Sequence, residues 1–573
     1  MEKTEKKLMI CNEAIARGAY EAGVKVISSY PGTPSTEITE FASKYAEIYT
    51  EWAPNEKVAV ETAIGASIAG VRSMACMKHV GVNVAADPLF TSAYTGINGG
   101  FVIVVADDPA MHSSQNEQDS RLYATAAHVP MLEPSDSNEG KEYLKHAYEL
   151  SEKYDTPVML RLTTRVAHSQ SIVVENPRQN VPDKPYVKNP NKYVMMPAMA
   201  RKRHEYVESR EIKLSSDVEL SPLTTIEMRS LDLGIVCAGG VYQYVKEATD
   251  ASIFKTAFIN PLPIESIREF SKTVKKLIVA EELEPYIENS LKAAGIECSG
   301  KSLFGRQGEL SVATIKKNLQ GVEPPTNDYS MPNRPPVMCA GCPHRGVFYV
   351  LKKLNLTVSG DIGCYTLGAA PPLGALDLCV CMGASIGMAH GFDKAVAGSS
   401  KKTVSVIGDS TFVHSGITGV INAVYNKGNS TIIILDNSIT GMTGHQQNPA
   451  TGVTLKGETT HKLDLHALVL ACGVQNALVV DAYELKKLEN IIKSELSKPG
   501  VSVIIAKRPC ALLNKKYPAP YQILKEKCRK CKACLKIGCP ALFNTGNIEI
   551  SKEHCVGCGV CAALCSFGAI CST

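Results

Sequence analysis

The chain lacks a charge excess: 61 lysines and arginines stand against 57 acids, a net +4 over 573 residues. That excludes both a nucleic-acid footprint and a strongly acidic surface. Doublets such as Lys401-Lys402 and Lys515-Lys516 read as solvated faces. It also lacks any apolar run near the ~18 residues of a membrane helix. The longest, such as FVIVVA and TIIIL, have the length of buried strands. The opening MEKTEKKLMICNEAIARGAY carries charges and no apolar core, so no secretion signal is expected. The expectation is a soluble cytoplasmic protein with neither a nucleic-acid nor a membrane partner. At 573 residues the chain is too long for one core, so several domains are expected.

Cysteine, by contrast, is abundant and uneven. Of 20 cysteines, nine fall between Cys528 and Cys571. Without a secretion signal, such density points to metal or redox chemistry rather than disulfides. The spacing is Cys528-x2-Cys531-x2-Cys534-x4-Cys539-Pro, then Cys555-x2-Cys558-x2-Cys561-x3-Cys565. Three thiolates at that step embrace one corner of an iron–sulfur cubane, and in two-cluster ferredoxins the fourth cysteine of each run ligates the other cluster. The spacing therefore assigns Cys528, Cys531, Cys534 and Cys565 to one [4Fe–4S] cluster. Cys539, Cys555, Cys558 and Cys561 form the other. Zinc sites are the alternative, but they use paired CxxC units without the third cysteine. The x4 gap before Cys539 departs from the usual x3, and the spacing assigns Cys571 no role.

The rest of the chain alternates strand and helix patterns, the mark of parallel α/β sheets. Residues 1–175 read as one such domain, with strands at VKVISS, GVNVAAD, FVIVVADDP and TPVMLRLTTR. Ser35 or Thr36 is placed to cap the helix after YPGTPSTEI. Residues 176–225, proline- and charge-rich, read as a surface-packed crossing linker. Residues 226–325 form a smaller α/β domain with strands LGIVC and KKLIVA. A second linker, GVEPPTNDYSMPNRPP, leads to a third α/β domain at 335–520 and a cysteine-rich tail at 522–573.

An electron outlet needs a source. In residues 403–449 one strand ends at Gly408-Asp409-Ser410 and the next, 26 residues on, at Asp436-Asn437. Asp409 and Asn437 are thus expected at the C-terminal ends of neighbouring strands, where open α/β sheets bind ligands. A carboxylate and an amide oxygen suit Mg²⁺, which bridges phosphates, and the helix that follows offers N–H groups to a diphosphate. This spacing resembles the thiamine-diphosphate signature. Asp409, Asn437 and the Ile439 carbonyl would hold the metal; Thr411, His414 and Thr440 are candidates for the diphosphate. His414 serves equally as a structural hydrogen-bonder, and His445 as pocket lining or surface. Thiamine chemistry also needs a partly buried carboxylate against the aminopyrimidine. Glu61, in NEKVAVETAIGASIAG, is the candidate and Glu56 its rival; a solvated helix face is the plain alternative for either.

Taken together, YPGTPSTEI (30–38), MKHVGVNVAADPL (77–89), VVADDPAMHSSQNEQDSR (104–121), CAGCPHRG (339–346), GDSTFVHSG (408–416) and GMTGHQQNP (441–449) resemble the 2-oxoacid:ferredoxin oxidoreductases. More narrowly they resemble the alpha subunits of the indolepyruvate ferredoxin oxidoreductases. The resemblance implies an α/β multidomain chain. It would comprise two thiamine-diphosphate-binding-type parallel-sheet domains, a transketolase-C-like α/β domain and a bacterial-type two-cluster ferredoxin domain. It accommodates the x4 gap and strengthens Glu61. It implies a smaller beta subunit, with α2β2 assembly, and ferredoxin as acceptor. The reaction it implies is decarboxylation of an aryl 2-oxoacid with transfer of the acyl group to coenzyme A. Cys339, Cys342, Cys364 and Cys510 resemble the ligands of a third cluster, proximal to thiamine, found in other members. Cys379 and Cys381 read as buried, inert thiols. Arg121, Arg165, His112 and Arg345 could hold a substrate carboxylate or form structural ion pairs. The alternatives are a non-redox thiamine decarboxylase and an electron-transfer subunit with a degenerate cofactor fold.

Overall fold

The computed structural model describes residues 5–324, 332 and 334–573. Half of the second expected linker, 325–331 and 333, lies outside the described residues. The chain divides into two compact units, Met1–Tyr329 and Ser330–Thr573.

The first unit is built on a seven-stranded sheet. Its order is Phe258–Asn260, Met131–Leu132, Val158–Thr163, Phe101–Asp107, Ser73–Lys78, Val26–Ser29 and Tyr49–Trp52. All neighbours are parallel except the first pair. The central strands FVIVVAD, SMACMK and VMLRLT are buried along their whole length, as a sheet covered on both faces requires. The strand Phe258–Asn260, which the sequence assigns to the smaller domain, joins this sheet's edge. The smaller domain keeps its own sheet in the order Lys276–Ala280, Leu233–Cys237, Ser252–Lys255, Thr225–Glu227, the last antiparallel. A ribbon pairs Lys6–Ile10 with Gln170–Val174.

Two expectations fail here. GVNVAAD is not a strand: His79–Val84 and Ala86–Thr95 are helices, and the buried strand is SMACMK just before them. A short apolar run does not declare its period. Residues 176–225 are not simply a linker either, since they hold the 22-residue helix Pro197–Val218. Its buried stripe is Val207, Arg210, Leu214 and Val218. An arginine in that stripe breaks the apolar pattern. Its guanidinium is satisfied by the carbonyls of Ala93 and His128, both at 3.0 Å. At the first YPGTPS turn, Ser35 occupies the helix N-cap, but its hydroxyl donates back to the Gly32 carbonyl at 2.9 Å.

The second unit carries a five-stranded parallel sheet. Its order is Thr357–Ser359, Thr403–Gly408, Thr431–Asp436, Ser502–Lys507, Asn476–Asp481. Residues 521–573 add two antiparallel ribbons, Tyr521–Ile523 with Ile570–Ser572 and Leu542–Asn544 with Ile548–Ile550. Their core is small, with Cys534, Ile548 and Ile570 buried. A segment of that size buries too little apolar surface to stand without cross-links. Among the described residues no helix is long and apolar enough to cross a membrane.

Candidate active site and thiol clusters

Strand register sets the first feature. Gly408 pairs with Leu435, so Asp409 and Asn437 leave adjacent parallel strands side by side at their C-terminal ends. The chain turns into helix at once after Asp409, with a π-type turn over Phe412–Gly416 before the helix Ile417–Tyr425. Asp409 is 2% exposed and its Oδ2 has no hydrogen-bond partner. Burial, and after it the neighbouring Asp436 carboxylate, push its pKa up to about 8. The Asn437 amide oxygen faces Asp409 Oδ1 at 3.2 Å and the Ile439 carbonyl at 2.8 Å. Three acceptors thus converge with no donor among them. Rotating the amide would let its nitrogen donate to both oxygens. A divalent cation compensates the same three oxygens without rotation, and supplies the positive charge that the buried carboxylate lacks. The residues present therefore fit Mg²⁺.

Around this cradle, the Ser410 N–H donates to Asp409 Oδ1 at 2.8 Å and the Thr440 hydroxyl donates to Ser410 Oγ at 3.0 Å. Thr411 donates its hydroxyl to the Ile362 carbonyl, and His414, buried, shares a hydrogen bond with Ser415 Oγ at 2.9 Å.

The carboxylate expected against the aminopyrimidine is placed differently. Helix Glu56–Ala69 begins at Glu56, capped by the Asn55 side chain, so Glu61 lies in its second turn and does not open it. Glu61 has 46% of its side chain exposed and pairs with Lys57. Glu56 is 5% exposed. Gly81 leaves it room: a Cβ there would stand 2.6 Å from Glu56 Cγ. Of the two, Glu56 alone meets the burial requirement. A sequence signal existed, since Asn-Glu before an apolar run is a helix start and puts Glu56 in the first turn.

The thiols fall into three sets. Cys534 has Cys531, Cys565 and Cys528 around it, and the four line one pocket. Cys561 has Cys558, Cys539 and Cys555 around it, and these four line a second pocket. Cys342 also lines this second pocket. In the third set, Cys510 and Cys339 act on Cys364, and Cys364 and Cys339 act on Cys342. Burial pushes the Cys342 and Cys561 thiols up to about 12 and Cys364 up to about 11. Such thiols become thiolates only with strong positive charge beside them. Among the described residues, the one group of three or more ligand atoms within 4.8 Å of one another is His128, Glu208 and Glu211.

The third set abuts the oxygen cradle. The Cys510 N–H donates to the Asn437 carbonyl at 2.9 Å, and His445 Nε2 stands 4.0 Å from Cys510 Sγ. Cys379 is half-buried and Cys381 exposed, so neither is the buried thiol expected of it. The four candidates for a substrate carboxylate all have structural partners. Arg121 is enclosed by Asp119 and Glu281, Arg165 and His112 both pair with Glu309, and Arg345 is bonded to backbone carbonyls.

Two family descriptions match: "Pyruvate flavodoxin/ferredoxin oxidoreductase, thiamine diP-bdg" over residues 17–218 and "Thiamine pyrophosphate enzyme, C-terminal TPP binding domain" over residues 361–506. Fold and matches together define a thiamine-diphosphate-dependent oxidoreductase of the ferredoxin-linked class. Indolepyruvate oxidoreductase subunit IorA of Archaeoglobus fulgidus is 40% identical over 99% of this chain and 97% of its own length. The subunit of the same name from Pyrococcus horikoshii is 40% identical over 99% and 96%. A solved 2-oxoglutarate:ferredoxin oxidoreductase from Magnetococcus marinus is 18% identical, with a TM-score of 0.47 over 56% of this chain and 66% of that one. The chain belongs to the indolepyruvate oxidoreductase subunit IorA family.

Proposed function

We propose that the chain is the alpha subunit of an enzyme that oxidatively decarboxylates aryl 2-oxoacids, of the indolepyruvate type, to acyl-CoA and CO₂ while reducing ferredoxin. The observation that carries the reading is the convergence of Asp409, Asn437 and the Ile439 carbonyl beside a set of thiols in one compact unit. Bound thiamine diphosphate supplies the electron sink for decarboxylation. Asp409, Asn437 and Ile439 hold the Mg²⁺ that neutralises its diphosphate. Glu56, in place of Glu61, is the carboxylate that would accept a hydrogen bond from a thiamine aminopyrimidine. Cys339, Cys342, Cys364 and Cys510 hold a [4Fe–4S] cluster next to this site. The eight tail cysteines hold two more, which pass electrons outward singly. A smaller beta subunit completes the enzyme as an α2β2 assembly.

The test is acceptor reduction by the purified alpha–beta complex with indolepyruvate and coenzyme A. CO₂ and aldehyde without acceptor reduction would mean a non-redox decarboxylase. Failure to bind thiamine diphosphate would mean an electron-transfer subunit. Iron per chain separates the cluster assignments: about twelve atoms for three cubanes, about eight if the Cys339 set holds none.

A further inference from the structure

Arg345 is the second residue of helix His344–Lys353 and is 5% exposed. Every donor of its guanidinium that is bonded goes to a backbone carbonyl. Nε donates to Cys339 at 3.0 Å, Nη1 to Ile537 at 3.3 Å and to Gly538, and Nη2 to Met338. Among the described residues no carboxylate forms an ion pair with it. Groups near it that can carry negative charge include Cys539, Cys342, Cys339 and Cys558. Two of these belong to the Cys339 set and two to the Cys539 set. The carbonyls satisfy its donors but do not neutralise its charge, and cluster-bound sulfurs at these positions would.

The same side chain is a splice. Met338 and Cys339 flank one thiol set; Ile537 and Gly538 immediately precede Cys539 of the other. The two sides are in close contact. A Cβ on Gly341 would stand 2.3 Å from Val556 and 3.6 Å from the Cys558 Cβ. Cys342 and Arg345 both line the pocket that holds the Cys539 set.

We propose that Arg345 is a positioning residue for electron transfer: the shared counter-ion of the clusters at the Cys339 and Cys539 sets, and the clamp that fixes their separation. This rests on the reading that both sets hold clusters. A cubane with four thiolates is an anion in both oxidation states, and local positive charge raises its reduction potential. Arg345 lies between two such anions and stabilises the electron on either. One electron moves from site to site with no bond made or broken, so the cation need only stay in place. Arg345 lines the pocket of the Cys539 set and not that of the Cys528 set.

The experiment is a redox titration of the holoenzyme followed by electron paramagnetic resonance, with iron per chain measured first. A C528S variant assigns the remote signal. Wild type at about eight irons removes the underlying reading, and the proposal with it, before any arginine variant is made. With iron at wild-type level, Arg345→Gln is expected to move two of the three potentials to more negative values and leave the Cys528-set signal in place. Arg345→Lys, which keeps the charge but loses the planar fork, is expected to hold the potentials and weaken the magnetic coupling between the two near clusters. Three unchanged potentials in R345Q, or an equal shift of all three, overturn the proposal. Should R345Q fail to load iron, R345K decides: potentials held with weaker coupling support it, and potentials that fall at full iron overturn it.

Discussion

Arg121 in the first unit and Asp409 in the second are each 2% exposed, yet their surroundings are opposite. Arg121 is met by two carboxylates, Asp119 and Glu281, each at 2.6 Å, and by the carbonyls of Glu282 and Glu284. Asp409 meets an amide oxygen, a carbonyl and a second acid, and one of its own oxygens has no partner. Burial alone therefore does not separate architecture from site. What separates them is whether the chain supplies the opposite charge. Where it does, the group ties segments distant in sequence together: Arg121 joins the first sheet to residues 281–284. Where it does not, as at Asp409, the site is suited to a ligand of opposite charge. Arg345 belongs to the second kind, with sulfur in place of a metal ion as the missing charge.

The largest effect expected from this contrast lies at a third buried charge. Glu56 sits at a helix N-terminus, where an anion is favoured. Its reading as the group facing the aminopyrimidine predicts that Glu56→Gln lowers acceptor reduction by about 10²–10⁴-fold while leaving iron content intact. Turnover within a few-fold of wild type would assign that carboxylate to architecture alone.

Arg121 is the internally compensated case. Arg121→Met leaves Asp119 and Glu281 buried and facing one another, so unfolding of the first unit should become easier by about 3–5 kcal/mol. Urea denaturation measures this, and a loss below about 1 kcal/mol would blur the line drawn between the two units.

Asp409→Asn should behave in the reverse sense. The substitution keeps shape and removes a carboxylate that nothing in the chain balances, so the cofactor-free chain should be no less stable than wild type. What should vanish is the stabilisation by Mg²⁺ and thiamine diphosphate, about 2.7 kcal/mol at a hundredfold excess over Kd. Thermal unfolding with and without the pair reads both quantities. A cofactor-free variant that melts well below wild type would show that Asp409 has a structural partner after all.

Much of this second unit is legible in the sequence because its signals are local. A fully apolar strand that stops at Gly-Asp-Ser, and another that stops at Asp-Asn, place Asp409 and Asn437 without knowledge of tertiary structure. The cysteine runs sort themselves by spacing, and the structure groups the thiols the same way. What escapes the sequence is what depends on neighbours far along the chain. The helix Pro197–Val218 is hidden because Arg210 occupies a buried position that only distant carbonyls make tolerable. GVNVAAD resembles a strand until SMACMK takes that place in the sheet. Arg345 is one basic residue in CAGCPHRG until Ile537 and Gly538 meet it, 192 and 193 positions away.

The smallest effect belongs to Glu61, and it is the control for the whole contrast. Glu61 and Lys57 form an i,i+4 pair with 46% and 47% of their side chains exposed. Exposed helix pairs contribute about 0.3–0.5 kcal/mol and are screened by salt. Glu61→Gln should therefore shift stability by no more than that, with the shift fading at high salt, and leave both iron content and turnover as in wild type. The pair Glu56 and Glu61 share one helix, one residue type and one charge. If the variant at 61 were the one to abolish acceptor reduction, burial would have misled the choice between them. The exposed face of helix Glu56–Ala69 would then have to be covered in the assembled enzyme.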